Sequence, residues 1–431
     1  MEAKKETKWY GWIAAIGTFI VVFCNLGAAN TLGVFLTSIS EYTGYSLATV
    51  SYIGTVNTVG NIVLSLVAVK LVDKISARWT ILISILCVSL HMWLYTLCSP
   101  GHGLIWLYLA GLGCSGAIAF GTHAVAQCVV GSWFIEKRES VCGIIFSAVG
   151  LGAAAWIFAA GQLFKHFDFK DAYRILSIPS LVLGLIAVIF MIKDPVKLGQ
   201  KPLGWEKAEQ IAKENRAAQE LPGVPAKGIL KRPIFWLLGI AIIICVNSNS
   251  EILCYLPSYW QMNGMNATQA SNWYSIYFIL AAASAWLGGK VTQKLGAKAF
   301  VIYAHIACCA AGILLVVWGQ TLASSILILS VVAGALCYPL QTNIPANVTQ
   351  AVFGPKDFAK ISGMFMVFVY IGQFITAPIM TIFLNGTGKM DGCWRLISIT
   401  SIIGMILVLI VLRKSPMRQL QKEGVKGHAE S

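Results

Sequence analysis

Charge is what this sequence has least of. Only 12% of its 431 residues are Asp, Glu, Lys or Arg, against the ~25% of an ordinary soluble domain. With 57% hydrophobic residues and a mean hydropathy of +0.73, the chain has too little polar surface for a water-soluble fold. Alternating segments of ~10 residues, the mark of a transmembrane β-barrel, are missing as well. There is no GxxxxGKS/T loop, which argues against an ATP-driven pump. There is no HExxH, no GxSxG and no paired-carboxylate constellation, so nothing points to an enzyme. The 12 cysteines contain no CxxC spacing, and all lie in or beside apolar runs. They read as small packing residues, not as metal ligands or a disulfide framework.

What the chain has instead is apolar runs of ~20 residues, the length that crosses a bilayer core. Twelve are predicted, here numbered as spans 1 to 12. The first six are Trp9–Phe35, Leu47–Val72, Trp79–Cys98, Leu104–Val130, Ser140–Phe164 and Ala172–Ile192. The second six are Pro233–Tyr259, Thr268–Val291, Ala299–Trp318, Ser324–Val352, Ile361–Leu384 and Cys393–Leu412. The expected fold class is an all-α membrane protein. The first run is of full span length with no small-residue cleavage site after it, so it reads as a span and not as a signal peptide.

The formal net charge is +14, and its placement fixes the expected orientation. With both termini inside, 27 of the 32 Lys/Arg fall on the cytoplasmic side; only Lys165, Lys170, Arg174, Lys389 and Arg395 fall outside. That is the positive-inside pattern. A nucleic-acid surface would need a folded soluble segment to carry it, so the expected partner of these charges is the lipid bilayer. The expected location is a cell membrane, crossed many times, with both termini cytoplasmic.

Lys193–Arg232 is the one long polar stretch, with 9 Lys/Arg in 40 residues. It divides the chain into an N-terminal six-span half (1–192), a cytoplasmic linker (193–232), a C-terminal six-span half (233–412) and a cytoplasmic tail (413–431). Inside the linker, Trp205–Ala218 is predicted as a short amphipathic helix. Trp205, Ala208, Ile211 and Ala212 recur at helical spacing, Glu209 and Lys213 form an i,i+4 pair, and Pro222 and Pro225 stop it. It is either a strut at the membrane interface or a solvated linker.

The two halves repeat each other at an offset of 220 residues. The turn after span 2 runs from Val69 to Arg78 (VKLVDKISAR), and the turn after span 8 from Gly289 to Lys298 (GKVTQKLGAK). After span 4, Trp133–Arg138 (WFIEKR) leads to Gly143; after span 10, Phe353–Lys360 (FGPKDFAK) leads to Gly363. Half-length repeats in a twelve-span chain are the mark of a two-bundle transporter.

On these motifs the sequence resembles the major facilitator superfamily. The turn after span 2 is similar to that family's Gly-x-x-x-Asp-Arg/Lys-x-Gly-Arg/Lys-Arg/Lys signature. Asp73, Lys74 and Arg78 are kept, while Val69, Ser76 and Ala77 depart from it. In the second half Gly289, Lys294, Gly296 and Lys298 fit, and Gln293 replaces the acid. The resemblance implies two pseudo-symmetric six-helix bundles, and a gating role for these loop residues together with Lys137 and Arg138. The run Trp133–Gly152 further resembles the monocarboxylate porter and oxalate–formate exchanger branch. That branch places cations in spans 8 and 11 to hold a dicarboxylate; the matching positions here are Ala285 and Val369. No Lys or Arg lies deep in any span, so a doubly charged anion would meet no fixed partner, which is costly in low dielectric.

Polar residues inside spans are the candidate site. Glu251 is the one acidic residue well inside a span, with Asn247 one turn before it on the same face. His123 and Gln127 form an i,i+4 pair in span 4. Asn25 and Asn30 interrupt span 1, and Gln341 and Asn343 interrupt span 10 between Pro339 and Pro345. The resemblance implies that spans 1, 4, 7 and 10 line a central cavity, to which Trp156, Tyr274, Tyr277 and Gln373 are added. Each amide is equally well read as interhelical glue worth ~0.6 kcal/mol. His91 and His305 read as packing residues. The runs AGLGCSGAIAFG and AVGLGAAAW read as close helix contacts.

The expected activity is secondary transport of a small organic solute, of the monocarboxylate type, by proton coupling or exchange. The alternative is a carrier or exporter of a neutral or amphipathic organic solute. No cofactor is expected, because a proton or counter-substrate gradient supplies the energy. The expected partners are a small-molecule substrate and lipid, and the expected functional unit is a monomer.

Overall fold

The structure is a computed structural model that describes residues 8–134, 138–193, 195, 198, 200, 203, 223–354 and 357–418. Side chains at 8, 9, 69, 73, 123, 124, 138–140 and 359 fall outside that description. Span 1 is two helices, α1 (Lys8–Asn30) and α2 (Leu32–Thr43), so helix continues past the predicted end at Phe35. Then come α3 (Leu47–Ile75), α4 (Ala77–Tyr95), α5 (Leu104–Gly121), α6 (His123–Trp133), α7 (Arg138–Leu163) and α8 (Phe169–Ile186). A π-helical turn, Ala187–Met191, finishes span 6. The second half holds α9 (Pro233–Met262), α10 (Ala267–Thr321), α11 (Ser324–Leu336), α12 (Pro339–Thr342), α13 (Ile344–Phe353), α14 (Phe358–Phe374), α15 (Thr376–Thr387) and α16 (Asp391–Arg413). The predicted amphipathic helix Trp205–Ala218 lies outside the described residues.

Proline accounts for most of the breaks. Pro339 and Pro345 lack an amide N–H and so cannot donate to the carbonyl four residues back, and span 10 splits beside them into α11, α12 and α13. Pro378 cannot donate to the carbonyl four residues back, and span 11 splits beside it at Ile375. The 55 residues of α10 would be far longer than the ~20 needed to cross once. They are spans 8 and 9, parted at Gly296, whose backbone is non-helical (φ 84°, ψ 165°). Twelve crossings in two six-helix bundles result.

The chain forms two compact units: residues 1–218 with 265–276, and residues 219–264 with 277–431. In the first, α1 packs on α7 through glycine. A Cβ on Gly152 would collide with the Phe23 carbonyl, and one on Gly27 would meet Trp156 and lie 2.8 Å from the Gly152 carbonyl. Gly152 of AVGLGAAAW is therefore a close helix contact, in keeping with the reading of that run. The aromatic core of this unit stacks Phe35 on Tyr173 and Tyr173 on Tyr95, with centroids 3.9 and 4.8 Å apart. Arg78 donates from Nε and Nη2 to the carbonyls of Val188 and Ile189, at 3.0 and 2.9 Å, and so caps the π-helical turn.

In the second unit α9 is the central helix, packed on α14 and α16. Its aromatic core includes Phe235 stacked on Phe365 at 4.6 Å and Tyr259 edge-on to Trp394 at 5.2 Å.

The repeat reaches the linker too. Leu203 donates its amide to the Trp133 carbonyl at 2.7 Å, and Val224 donates to the Phe353 carbonyl at 2.8 Å. Trp133 and Phe353 are the pair that the 220-residue offset matches. Each end of the linker is thus pinned to the same position of its own repeat.

Candidate functional site

The polar core lies in the second unit, on one stretch of α9. Pro233 starts that helix at its first position, where a missing N–H costs nothing. The helix then runs unbroken for 30 residues and carries Asn247, Ser248, Asn249, Ser250 and Glu251 in sequence, all buried. Five polar residues in a row on a helix point in every direction, so each needs its own partner. Ser248 shares a hydrogen bond with Thr400 of α16 at 3.0 Å. Asn249 reaches Cys337, which caps α11, at 3.4 Å. Asn247 donates to Thr376 at 3.3 Å and to the Gly372 carbonyl at 3.5 Å, at the break between α14 and α15.

Glu251 is 1% exposed. Its carboxylate accepts a hydrogen bond from the thiol of Cys393, in the first turn of α16. Asn247 is the other side chain within hydrogen-bonding reach. Among the described residues no Lys or Arg pairs with it, and both groups that touch it are neutral dipoles. Eight residues on, the Tyr259 hydroxyl donates to Asp391 at 3.0 Å. Three polar pairs therefore join α9 to α16: Ser248 with Thr400, Glu251 with Cys393, and Tyr259 with Asp391.

The other candidates divide by unit. In the first, Asn25 is fully buried and donates to Ser84 at 2.6 Å and to the Ala117 carbonyl at 3.0 Å, tying α1 to α4 and α5. Asn30 turns back to the Leu26 carbonyl at 2.6 Å, at the break between α1 and α2. The Trp156 indole donates to the Cys24 carbonyl at 3.0 Å. Gln127 is exposed on α6, and the side chain of His123 lies outside the described residues. Tyr274 is buried in the part of α10 that belongs to this unit. Of the gating residues Lys74 is exposed, while Lys137 and the side chains of Asp73 and Arg138 lie outside the description.

In the second unit Tyr277 is buried, and Gln341 and Gln373 are half-buried. Asn343 donates to the Ala285 carbonyl at 2.9 Å, tying the break of span 10 to α10. Gly289 and Lys294 are exposed. Thus Glu251 and Asn247 come together among the described site residues of this unit. Cys393 and Thr376 complete their surroundings and were not legible beforehand. A Cys or Thr in an apolar run carries no signal of which helix it will face.

Two apolar grooves of about 340 Å³ each lie elsewhere, one along Thr55–Leu64 with Leu112, the other between His305–Ile313 and Ile402–Met405. Neither includes Glu251. His305 is engaged within its own bundle, with Nδ1 against the Val301 carbonyl at 2.7 Å and Nε2 against Cys245 at 3.2 Å.

The chain matches the Major Facilitator Superfamily over residues 18–350 and 261–430. It is 22% identical to the MFS-type transporter pynF of Aspergillus niger, over 90% of this chain and 86% of that one. It is also 22% identical to the Agnestins efflux protein of Paecilomyces divaricatus, over 93% and 87% of the two chains. Among solved structures, a D-xylose-proton symporter superposes with a TM-score of 0.67 at 12% identity, covering 94% of this chain and 97% of that one. A bacterial homolog of the human lysosomal transporter Spinster gives 0.65 at 14% identity, covering 96% of each.

Proposed function

The chain belongs to the major facilitator superfamily, and from that premise we propose that it is a proton-coupled secondary carrier of a small amphipathic organic solute, working as an exporter. The observation that carries this reading is the setting of Glu251. A charged carboxylate at that place has only neutral dipoles around it, and an unpaired buried charge is costly. A group that takes up a proton when facing one side and releases it when facing the other removes that cost and couples the two movements. The absence of Lys and Arg deep in the spans favours a solute without a strong negative charge. Two relatives bear the names of efflux proteins, one for agnestins and one for aspyridones, which favours export.

The second reading is a monocarboxylate carrier, and the resemblance of Trp133–Gly152 to that branch supports it. In both readings the energy comes from a proton or counter-substrate gradient without a cofactor, and the working unit is a monomer. Both termini are cytoplasmic, in keeping with the distribution of basic residues.

The purified protein tests the choice. A ligand that binds the folded state raises its apparent stability. Thermal unfolding is therefore measured against a panel of amphipathic organic compounds and of short monocarboxylates. Export of an amphipathic solute predicts stabilisation by the first group only; stabilisation by monocarboxylates alone would reverse the assignment.

A further inference from the structure

Resting on the reading of Glu251 as the coupling carboxyl, we propose that Cys393 is its positioning residue, holding Glu251 in both of its protonation states. The Cys393 thiol meets the Glu251 carboxylate from α16, and both residues are buried. The contact is held in place by its neighbours. Ser248 with Thr400 on one side and Tyr259 with Asp391 on the other fasten the same two helices at 3.0 Å each. Cys393 also follows Asp391 and Gly392 in the first turn of α16, where the helix is anchored by the Tyr259 hydroxyl.

The choice of a thiol has chemical consequences. A carboxylate only accepts hydrogen bonds, whereas a carboxylic acid donates one. A thiol is a weak donor and a weak acceptor. It turns its S–H toward the charged group and its sulfur lone pair toward the acid, so the contact survives the change, and the bond to the charged form is the stronger of the two. A cation at this place would instead hold the charged form and oppose proton uptake. The proton that Glu251 takes up comes from water and returns to water, and Cys393 keeps its own throughout. The packed elements carry other titratable groups as well: the thiols of Cys254 on α9, Cys308 on α10 and Cys337 at the end of α11, the phenols of Tyr255 and Tyr259 on α9, His305, engaged with Cys245, and on α16 itself the exposed Arg395. The nearest acid, Asp391, is held by Tyr259. From α15, Thr376 reaches Glu251 through Asn247.

Infrared difference spectroscopy on the full-length protein in lipid vesicles tests this, with acid and base as the sole titrants. The carboxyl band of Glu251 is identified by its loss in Glu251→Gln, and the S–H band of Cys393 by its loss in Cys393→Ala. The proposal expects the S–H band to move in step with the carboxyl titration. It also expects Cys393→Ala, which removes the donor, and Cys393→Ser, which strengthens it, to displace the carboxyl midpoint in opposite directions. Each displacement should be ~3-fold or more in proton concentration, the size of one hydrogen bond. The Ser variant preserves shape, so it keeps the test valid if the Ala variant does not fold. Unmoved midpoints, or moves in the same direction, overturn the role of Cys393 and leave Glu251 standing. If Glu251→Gln removes no titrating carboxyl band, the reading of Glu251 falls, and Cys393 with it.

Discussion

Ser76 and Gly296 hold the same backbone conformation, φ 82° and ψ 157° for the serine, φ 84° and ψ 165° for the glycine. They are 220 residues apart, at the same place of the repeat. Positive φ with ψ near 160° is a region that only glycine enters without strain. The corner between spans 2 and 3 and that between spans 8 and 9 are thus one device, with serine standing in the first copy where the second has glycine.

That strain is measurable. Ser76→Gly should raise the thermal midpoint of the purified protein by relieving about 1 kcal/mol or more. Gly296→Ala should lower it by a similar amount. A Ser76→Gly variant no more stable than the parent would mean that Ser76 has compensating contacts.

Arg78 serves the same corner differently. Its two bonds to Val188 and Ile189 cap carbonyls that the π-helical turn leaves without donors. A hydrogen bond from a charged group contributes about 1.5–3 kcal/mol. Arg78→Ala should lower the thermal midpoint and speed hydrogen exchange at 187–192. Arg78→Lys should not restore it, since one ammonium cannot match the planar fork. Full rescue by lysine would leave only a charge effect.

Orientation rests on the 27-to-5 split of basic residues. With the exposed Cys128 and Cys254 replaced, a cysteine introduced at Gln210 should be labelled only from the cytoplasmic side. Labelling by an impermeant reagent from outside intact cells would invert the arrangement.

Much of the fold was legible because a bilayer core imposes its own length. Twelve apolar runs and a central basic stretch leave few alternatives, and Gly152 could be read as a contact because only a small residue lets α1 approach α7. The breaks were less legible. Pro339 and Pro345 announce those of span 10, and Asn30 stands beside the one that parts α1 from α2 at Thr31, but its polarity alone does not say that the helix breaks there. The site was legible only in part. Glu251 stands out as an acid in an apolar run, and Asn247 follows by helical spacing. Which helix they face is decided by packing across the bundle, and Cys393 lies 142 residues away. Asn25 shows the same limit. Its amide, expected at a cavity wall, is spent on Ser84 and Ala117.

Replacement of Glu251 by Gln tests the central claim most directly. The amide keeps the shape of the neutral acid but cannot exchange a proton. In proteoliposomes, accumulation of a labelled ligand from the thermal screen is driven by an imposed pH gradient, and exchange of the same ligand is measured without one. The account predicts that Glu251→Gln abolishes gradient-driven accumulation and retains exchange within a few-fold of the parent. Accumulation by the Gln variant at the parent rate would make Glu251 structural and place the coupling elsewhere.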